Sequence, residues 1–283
     1  MTVAQRLRPF GTTVFAEITA AARSAKAVDL GQGAPDFDGP EWLKDAAVEA
    51  FRSRSNQYAP LPGLPELRAA LAERHDAGGD RAGGGTDPDT EVTVTGGATE
   101  ALAATCLGLL EPGDEVVLFE PYYDAYRADL SLAGASPLFV SLRPDAAGVF
   151  RYDQAELERA AARPRCRALI LNTPHNPTGR VFDDMELRCI ADLAKQHDLV
   201  VIADEVYEHV VFDGFAHRSI ASLPGMRART IRIGSIGKTF NMTGWKVGGA
   251  IAPAELSGAV RSAHQFLTFC VPPALQAAAA VGI

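Results

Sequence analysis

Cysteine is scarce in this chain and scattered: the four among 283 residues, Cys106, Cys166, Cys189 and Cys270, form no C-x-x-C pair and keep no metal-ligand spacing with a histidine. A disulfide scaffold and a zinc module are therefore excluded, and the thiols read as reduced. Long apolar runs are missing too. No uninterrupted stretch of about 18 apolar residues occurs, as a membrane helix requires, and the first ten residues, M-T-V-A-Q-R-L-R-P-F, hold no apolar signal core. A cytoplasmic address is the expectation. Positive charge is in deficit, with 27 basic against 35 acidic residues and a net charge of −8, which argues against nucleic acid or an anionic membrane as the main partner. No G-x-x-x-x-G-K-[ST] loop is present and no G-x-G-x-x-G follows a strand pattern, so nucleotide readings lose their support.

What is present is enough apolar residue, 47%, for one large core with room for a small second lobe. Residues 13–27 carry Val14, Phe15, Ile18, Ala21 and Ala22 at helical spacing, and the Gly- and Pro-bearing stretch 28–40 breaks that helix. Within it Gly33 is able to offer a bare backbone N–H. A helix is expected over 41–54, then a Pro-stiffened loop holding Tyr58, then a helix over 64–75. The Gly-rich stretch 78–85 is assigned no role.

From residue 91 strands and helices alternate. Strand patterns at 91–95, 115–119, 137–142, 168–171, 199–203 and 230–233 are separated by helices at 99–110, 123–133, 154–162 and 183–197 and a short helical turn near Ser219, and a last strand-like run opens at Lys246. Apolar strands spaced by helices specify an α/β fold: a mostly parallel, seven-stranded sheet covered on both faces. Ligands of such sheets bind at the carboxyl ends of the strands. Those ends carry the chemistry here: G-G-A-T-E (96–100), E-P-Y-Y (120–123), N-T-P-H-N-P-T-G (172–179), D-E-V-Y (204–207) and G-S-I-G-K (234–238).

Lys238 stands in a loop of glycines with Ser235 three residues before it and Lys246 eight after. An amine beside a basic and hydroxyl cluster of phosphate size suggests a Schiff-base lysine and a phosphorylated aldehyde, pyridoxal 5'-phosphate (PLP). Gly97, Ala98 and Thr99 form a strand-to-helix junction whose free N–H groups suit an anion, with Ser235 and Lys246 sharing the load. Asp204 follows four apolar residues, where a carboxylate is desolvated unless it meets a cation such as a protonated pyridine nitrogen; a helix cap is the structural alternative. Tyr207 and Asn176 are donors for a ring phenolate, and Tyr123 offers a flat face for stacking or simply a core aromatic.

These motifs resemble, in order and over essentially the whole chain, the class I and II aminotransferases of pyridoxal-phosphate fold type I: L-G-Q-G-x-P-D (30–36), N-Q-Y-x-P-x-x-G (56–63), N-P-T-G (176–179), D-x-x-Y (204–207) and S-x-x-K with a basic residue eight positions on. G-K-T-F-N-M-T-G-W-K-V-G and D-E-V-Y-E-H are most similar to the kynurenine, methionine and N-succinyldiaminopimelate aminotransferase branch. The resemblance implies that Lys238 joins the cofactor aldehyde and shuttles a proton, with Asp204 and Tyr207 as catalytic partners. It implies that Asp204 pairs with the ring nitrogen, that Tyr207 and Asn176 bond the phenolate, and that Tyr123 stacks. It also implies that Gly97, Ala98, Thr99, Ser235 and Lys246 hold the phosphate and that Tyr58 reaches the phosphate of a neighbouring subunit in a two-fold homodimer. On the same resemblance Gly33, Phe15 and Asn176 are expected beside the substrate.

The same resemblance divides the chain into an N-terminal arm with a small-domain segment, 1–40, and a large cofactor-binding domain, 41–283. It implies a truncated small domain, because relatives continue to an arginine for the substrate α-carboxylate that no motif here replaces, and because Ile283 falls in what reads as a long helix interrupted by Pro272-Pro273. Three functions follow: a transaminase between an amino acid, with N-succinyl-LL-diaminopimelate or an aromatic or sulfur amino acid as candidates, and a 2-oxo acid such as 2-oxoglutarate; a β-lyase acting on cysteine conjugates or cystathionine; or an inactive dimer that binds the cofactor.

Overall fold

The computed structural model describes residues 3–31, 33, 35–77 and 84–283. Gln32 and Ala34 of the L-G-Q-G-A-P-D motif lie outside the described residues, as does the Gly-rich stretch except Gly84 and Gly85. In chain order the elements are α1 (Val14–Ala25), α2 (Glu41–Ser53), α3 (Pro65–Ala77), β1 (Val92–Thr95), α4 (Ala98–Leu109), β2 (Glu115–Glu120), α5 (Ala125–Ala133) and β3 (Ser136–Pro144). They continue with β4 (Phe150–Tyr152), α6 (Gln154–Ala161), β5 (Cys166–Asn172), α7 (Asp184–Gln196), β6 (Val200–Asp204), β7 (Thr230–Ser235), α8 (Ile236–Thr239), β8 (Gly248–Ile251), α9 (Ala254–Leu267) and α10 (Pro273–Gly282).

The strands lie in the order β1-β8-β7-β6-β5-β2-β3-β4. The centre is parallel, from β7 through β6, β5 and β2 to β3, because each of these strands returns through a covering segment. The edges are antiparallel, β7 to β8, β8 to β1 and β3 to β4. The sheet thus has eight strands where seven are expected from the sequence. The addition is β4, whose three residues F-R-Y are too few to show a period of two. It pairs with β3 through a tight turn in which Asp145 Oδ1 accepts from Ala147 N at 2.9 Å and Val149 N at 3.0 Å, with Gly148 at φ 79°.

Helix ends follow their caps. Asp183 and Glu186 close a reciprocal capping box at the start of α7, and Asp153 receives Glu156 N at the start of α6. Three other expectations are corrected. The helix read from Tyr123 starts at Ala125, because Pro121 and the two tyrosines make a turn closed by Tyr126 N to Tyr123 O. Lys246 does not open a strand; it sits in the left-handed region at φ 53° after a 3₁₀ turn, and β8 begins two residues later. Pro272 and Pro273 do not interrupt a helix but begin one, as N-cap and first residue of α10, with α9 already ended.

One core lies on each face. Val117, Leu169, Leu171 and Val201 point to the face covered by α6 and α7, and Val116, Leu118, Ile170, Ile202 and Ile231 to the face covered by α4, α5 and α9. This alternation along each strand is what a doubly covered sheet demands. Truncating any of these fully buried aliphatic residues to Ala is expected to cost about 2–5 kcal/mol. α1 differs: it carries an apolar stripe but buries none of its side chains.

Candidate active site

Register assembles the site. Asn172 of β5 is level with Asp204 of β6, and Asp204 with Ile233 of β7. Two residues further on, Ser235 is level with Gly248 of β8, which is level with Thr95 of β1. The loops that leave these rows therefore meet at one edge of the sheet. Close backbone approach enforces the meeting: a Cβ on Gly248 would lie 2.7 Å from Ala98 N and 2.8 Å from the Gly234 carbonyl oxygen.

Asp204 is buried. Its Oδ2 accepts from the Tyr126 hydroxyl at 2.6 Å and its Oδ1 from Val206 N at 3.3 Å. Burial pushes its carboxyl up to about 6; the Tyr126 and Val206 hydrogen bonds and the Lys238 charge pull the other way without offsetting it. Among the described residues Asp204 forms no salt bridge. Behind it, Asn172 Nδ2 donates to the Asp204 carbonyl at 2.9 Å while Asn172 Oδ1 receives Asn176 N at 2.7 Å, so one amide ties the N-P-T-G turn to the end of β6.

Lys238 lies in α8, a single turn capped by Ser235, whose Oγ accepts Lys238 N at 3.2 Å. Its Nζ stands 5.4 Å from the centre of the Tyr207 ring. Burial raises the Tyr207 hydroxyl, with Asp204 adding to the effect, and burial likewise raises Tyr123. Tyr123 has the Thr99 side chain nearby and meets Tyr126 edge-on, ring centres 5.7 Å apart. The rings of Tyr123 and Tyr126 thus connect the first turn of α4 to Asp204.

Gly97 precedes that helix at φ 79°, and a Cβ there would come within 3.4 Å of Lys246 Nζ. A glycine turn, the first-turn N–H groups of Ala98 and Thr99, which have no partner among the described residues, a hydroxyl from Ser235 and an ammonium are groups that suit an anion.

Sequence reasoning placed most of this cluster but missed Tyr126 and Asn172. Tyr126 carries a signal, since it follows Tyr123 by one helical turn, but its partner is 78 residues away. Three predicted residues have other neighbours. Tyr58 is 83% exposed and packs edge-on against Phe269 at 5.5 Å. Gly33 is exposed, with nothing within 4 Å of where a Cβ would project, and Phe15 is half-buried on α1.

The model of the family described as aminotransferase class I and II matches residues 25–283. The chain belongs to this family. The aminotransferase is 51% identical to the probable N-succinyldiaminopimelate aminotransferase DapC of Mycobacterium tuberculosis, over all of its own length and 70% of that protein's. It is 40% identical to the methionine aminotransferase of Escherichia coli, covering 97% of this chain and 69% of that one, and 41% identical to human kynurenine–oxoglutarate transaminase 1, covering 98% and 67%. The solved structure of the M. tuberculosis N-succinyldiaminopimelate aminotransferase superimposes with a TM-score of 0.93 at 50% identity, over all of this chain and 72% of that one. Fold type I and dependence on pyridoxal phosphate follow from membership.

The residues fit that cofactor. Its phosphate suits the turn at Gly97, where a side chain would crowd Lys246. A pyridinium nitrogen suits Asp204, a buried carboxylate with hydrogen-bond donors but no cation in salt-bridge contact among the described residues. No described helix is long and apolar enough to cross a membrane.

Proposed function

We propose that this aminotransferase takes its amino group from N-succinyl-LL-diaminopimelate and delivers it to 2-oxoglutarate, with Lys238, Asp204 and Tyr207 as its catalytic residues. The convergence of these three carries the assignment: Lys238 Nζ lies over the Tyr207 ring, and its charge acts on the carboxylate of Asp204. Bound pyridoxal phosphate supplies a ring that accepts the electron pair left when a bond at the amino acid's Cα breaks. Lys238 takes that Cα proton and returns it, a general base and then a general acid. Asp204 holds a proton on the pyridine nitrogen. Tyr207 and Asn176 donate hydrogen bonds to the ring's phenolate oxygen, and Tyr123 packs on the ring. Ala98, Thr99, Ser235 and Lys246 bind the phosphate, with Gly97 leaving room for it; Lys246 acts there as a point charge and not a bidentate fork.

The substrate reading is supported by the 51% identity to the probable N-succinyldiaminopimelate aminotransferase. Phe15, Gly33 and Asn176 are assigned to the substrate. Residues 1–40 are the N-terminal arm and small-domain segment and 41–283 the large cofactor-binding domain, a division that an α1 burying no side chain supports. Exposed Tyr58, on a firmly anchored loop, supports a two-fold homodimer in which it reaches the phosphate of the other subunit. A cytoplasmic site of action accords with four free cysteines.

Lys238→Ala tests the core of this reading. The variant is expected to lose turnover of N-succinyl-LL-diaminopimelate and the visible absorbance of bound cofactor while keeping its fold by circular dichroism. A folded variant that retains both colour and turnover removes Lys238 from the role.

A further inference from the structure

Glu100 and His264 are a buried ionisable pair that the chemistry above does not use. Glu100 ends the G-G-A-T-E turn as the third residue of α4, and one of its carboxylate oxygens, Oε2, accepts from Gly96 N. Its Oε1 lies 2.5 Å from Nδ1 of His264, a fully buried residue of α9. The other ring nitrogen, Nε2, lies 3.0 Å from the Leu61 carbonyl oxygen, in the loop that carries Tyr58. Thr268 Oγ1, one turn on, is 3.3 Å from Nδ1. One imidazole therefore joins the turn assigned to the phosphate with the loop of Tyr58, segments far apart in sequence.

Counting protons fixes the charge of the pair. A carbonyl oxygen only accepts, so Nε2 carries a hydrogen. A separation of 2.5 Å between Nδ1 and a carboxylate oxygen requires one more proton between them. Whichever of the two atoms holds it, imidazole and carboxyl together are neutral. The neutrality matters because of where Glu100 sits: an uncompensated carboxylate in the first turn of α4 would oppose an anion at the same helix end. We propose that His264 is a positioning residue for the cofactor's phosphate. It cancels the charge of Glu100, which is needed to fix Gly96 at the entry of the turn, and it holds the Tyr58 loop against that turn. This rests on the assignment of Gly97, Ala98 and Thr99 to the phosphate.

The test is binding by the cofactor-free chain, titrated separately with pyridoxal 5'-phosphate and with pyridoxal, which lacks the phosphate. His264→Leu is expected to weaken pyridoxal 5'-phosphate roughly tenfold and to leave pyridoxal within about twofold. Glu100→Gln keeps the contacts, because its amide oxygen accepts from Gly96 N and its amide nitrogen donates to Nδ1 of a neutral ring. It is expected to bind nearly as the parent does, and adding it to His264→Leu restores most of the lost affinity. Equal weakening of both ligands, no weakening of either, or a double variant no better than His264→Leu overturns the proposal. His264→Gln, which also lacks a positive charge, gives the same reading should His264→Leu fail to fold. Lys246→Ala separates the proposal from its premise. If it leaves the preference for the phosphorylated ligand intact, the phosphate turn is wrongly assigned and the inference falls with it. If that preference drops for Lys246→Ala but not for the His264 variants, the inference alone is wrong.

Discussion

Asp204 and Glu205 are consecutive acids at the end of one strand, both buried, and their surroundings drive them in opposite directions. Asp204 faces α5, where a tyrosine hydroxyl and a backbone N–H are its hydrogen-bond donors, and burial pushes its carboxyl up to about 6. Glu205 faces the other side of the sheet. Burial pushes it up as well, but Arg232 at 2.6 Å and His217 at 3.1 Å overcome that and hold it at about 2. Arg232 also pairs with Glu208, itself bonded to Arg74 at 3.4 Å. One carboxylate thus has its cations built into the fold, while the other has none in salt-bridge contact among the described residues and feels only the charge of Lys238. A buried acid without a cation in contact costs stability, and acids of this kind cluster at functional sites, whereas a paired one is part of the framework.

Replacing Asp204 by Asn breaks this contrast most sharply. Turnover is expected to fall about 10²- to 10⁴-fold, the range for a positioned group that controls a proton. The cofactor-free variant is expected to be the more stable protein at neutral pH. The sign follows from the raised carboxyl: below its ordinary value of 3.8 Asp204 is protonated folded or unfolded, and as pH rises through about 6 the folded state must ionise a buried acid and loses stability. The melting-temperature advantage of Asp204→Asn should therefore grow between about pH 4 and pH 6 and then level off. An advantage that is flat with pH, or turnover unchanged, removes Asp204 from the site.

Glu205→Ala acts on the other half of the comparison. It leaves Arg232 and His217 without their central anion and is expected to cost about 3–5 kcal/mol in denaturant unfolding. Its contribution has the opposite pH sense, being present above the ordinary value of 4.5 and lost as pH falls towards about 2. The folded fraction of the variant should keep its turnover number; a selective loss of turnover without destabilisation would assign Glu205 to chemistry.

The smallest expected effect is that of Tyr126→Phe, which removes only the 2.6 Å bond to Asp204. That bond lowers the carboxyl, so in the cofactor-free chain its loss moves Asp204 further up and shifts the fall of stability with pH to higher pH, read from melting temperatures. A shift to lower pH would contradict the donor role of Tyr126.

Much of the site was legible because strands announce their own ends. Four apolar residues followed by Asp204, and a β-branched run delivering Ser235 and Lys238, are local patterns. Tyr126 and His264 were not legible, because nothing within a few residues of either reports the strand or helix that it meets, 78 and 164 residues away. The eighth strand escaped for lack of length, and the start of α10 was hidden because a pair of prolines reads equally as a break or a beginning until the preceding helix is seen to have ended.

The sequence by itself determined the α/β alternation, the order of the strand-end motifs and the family that those motifs resemble, since apolar periodicity and turn chemistry are properties of neighbouring residues. Only the tertiary structure decided which of two adjacent acids faces a tyrosine and which an arginine, and that His264 meets Glu100, 164 residues before it. Those outcomes depend on strand register and on which helix covers which face, and a charge takes its value from whatever the fold brings within a few ångströms of it.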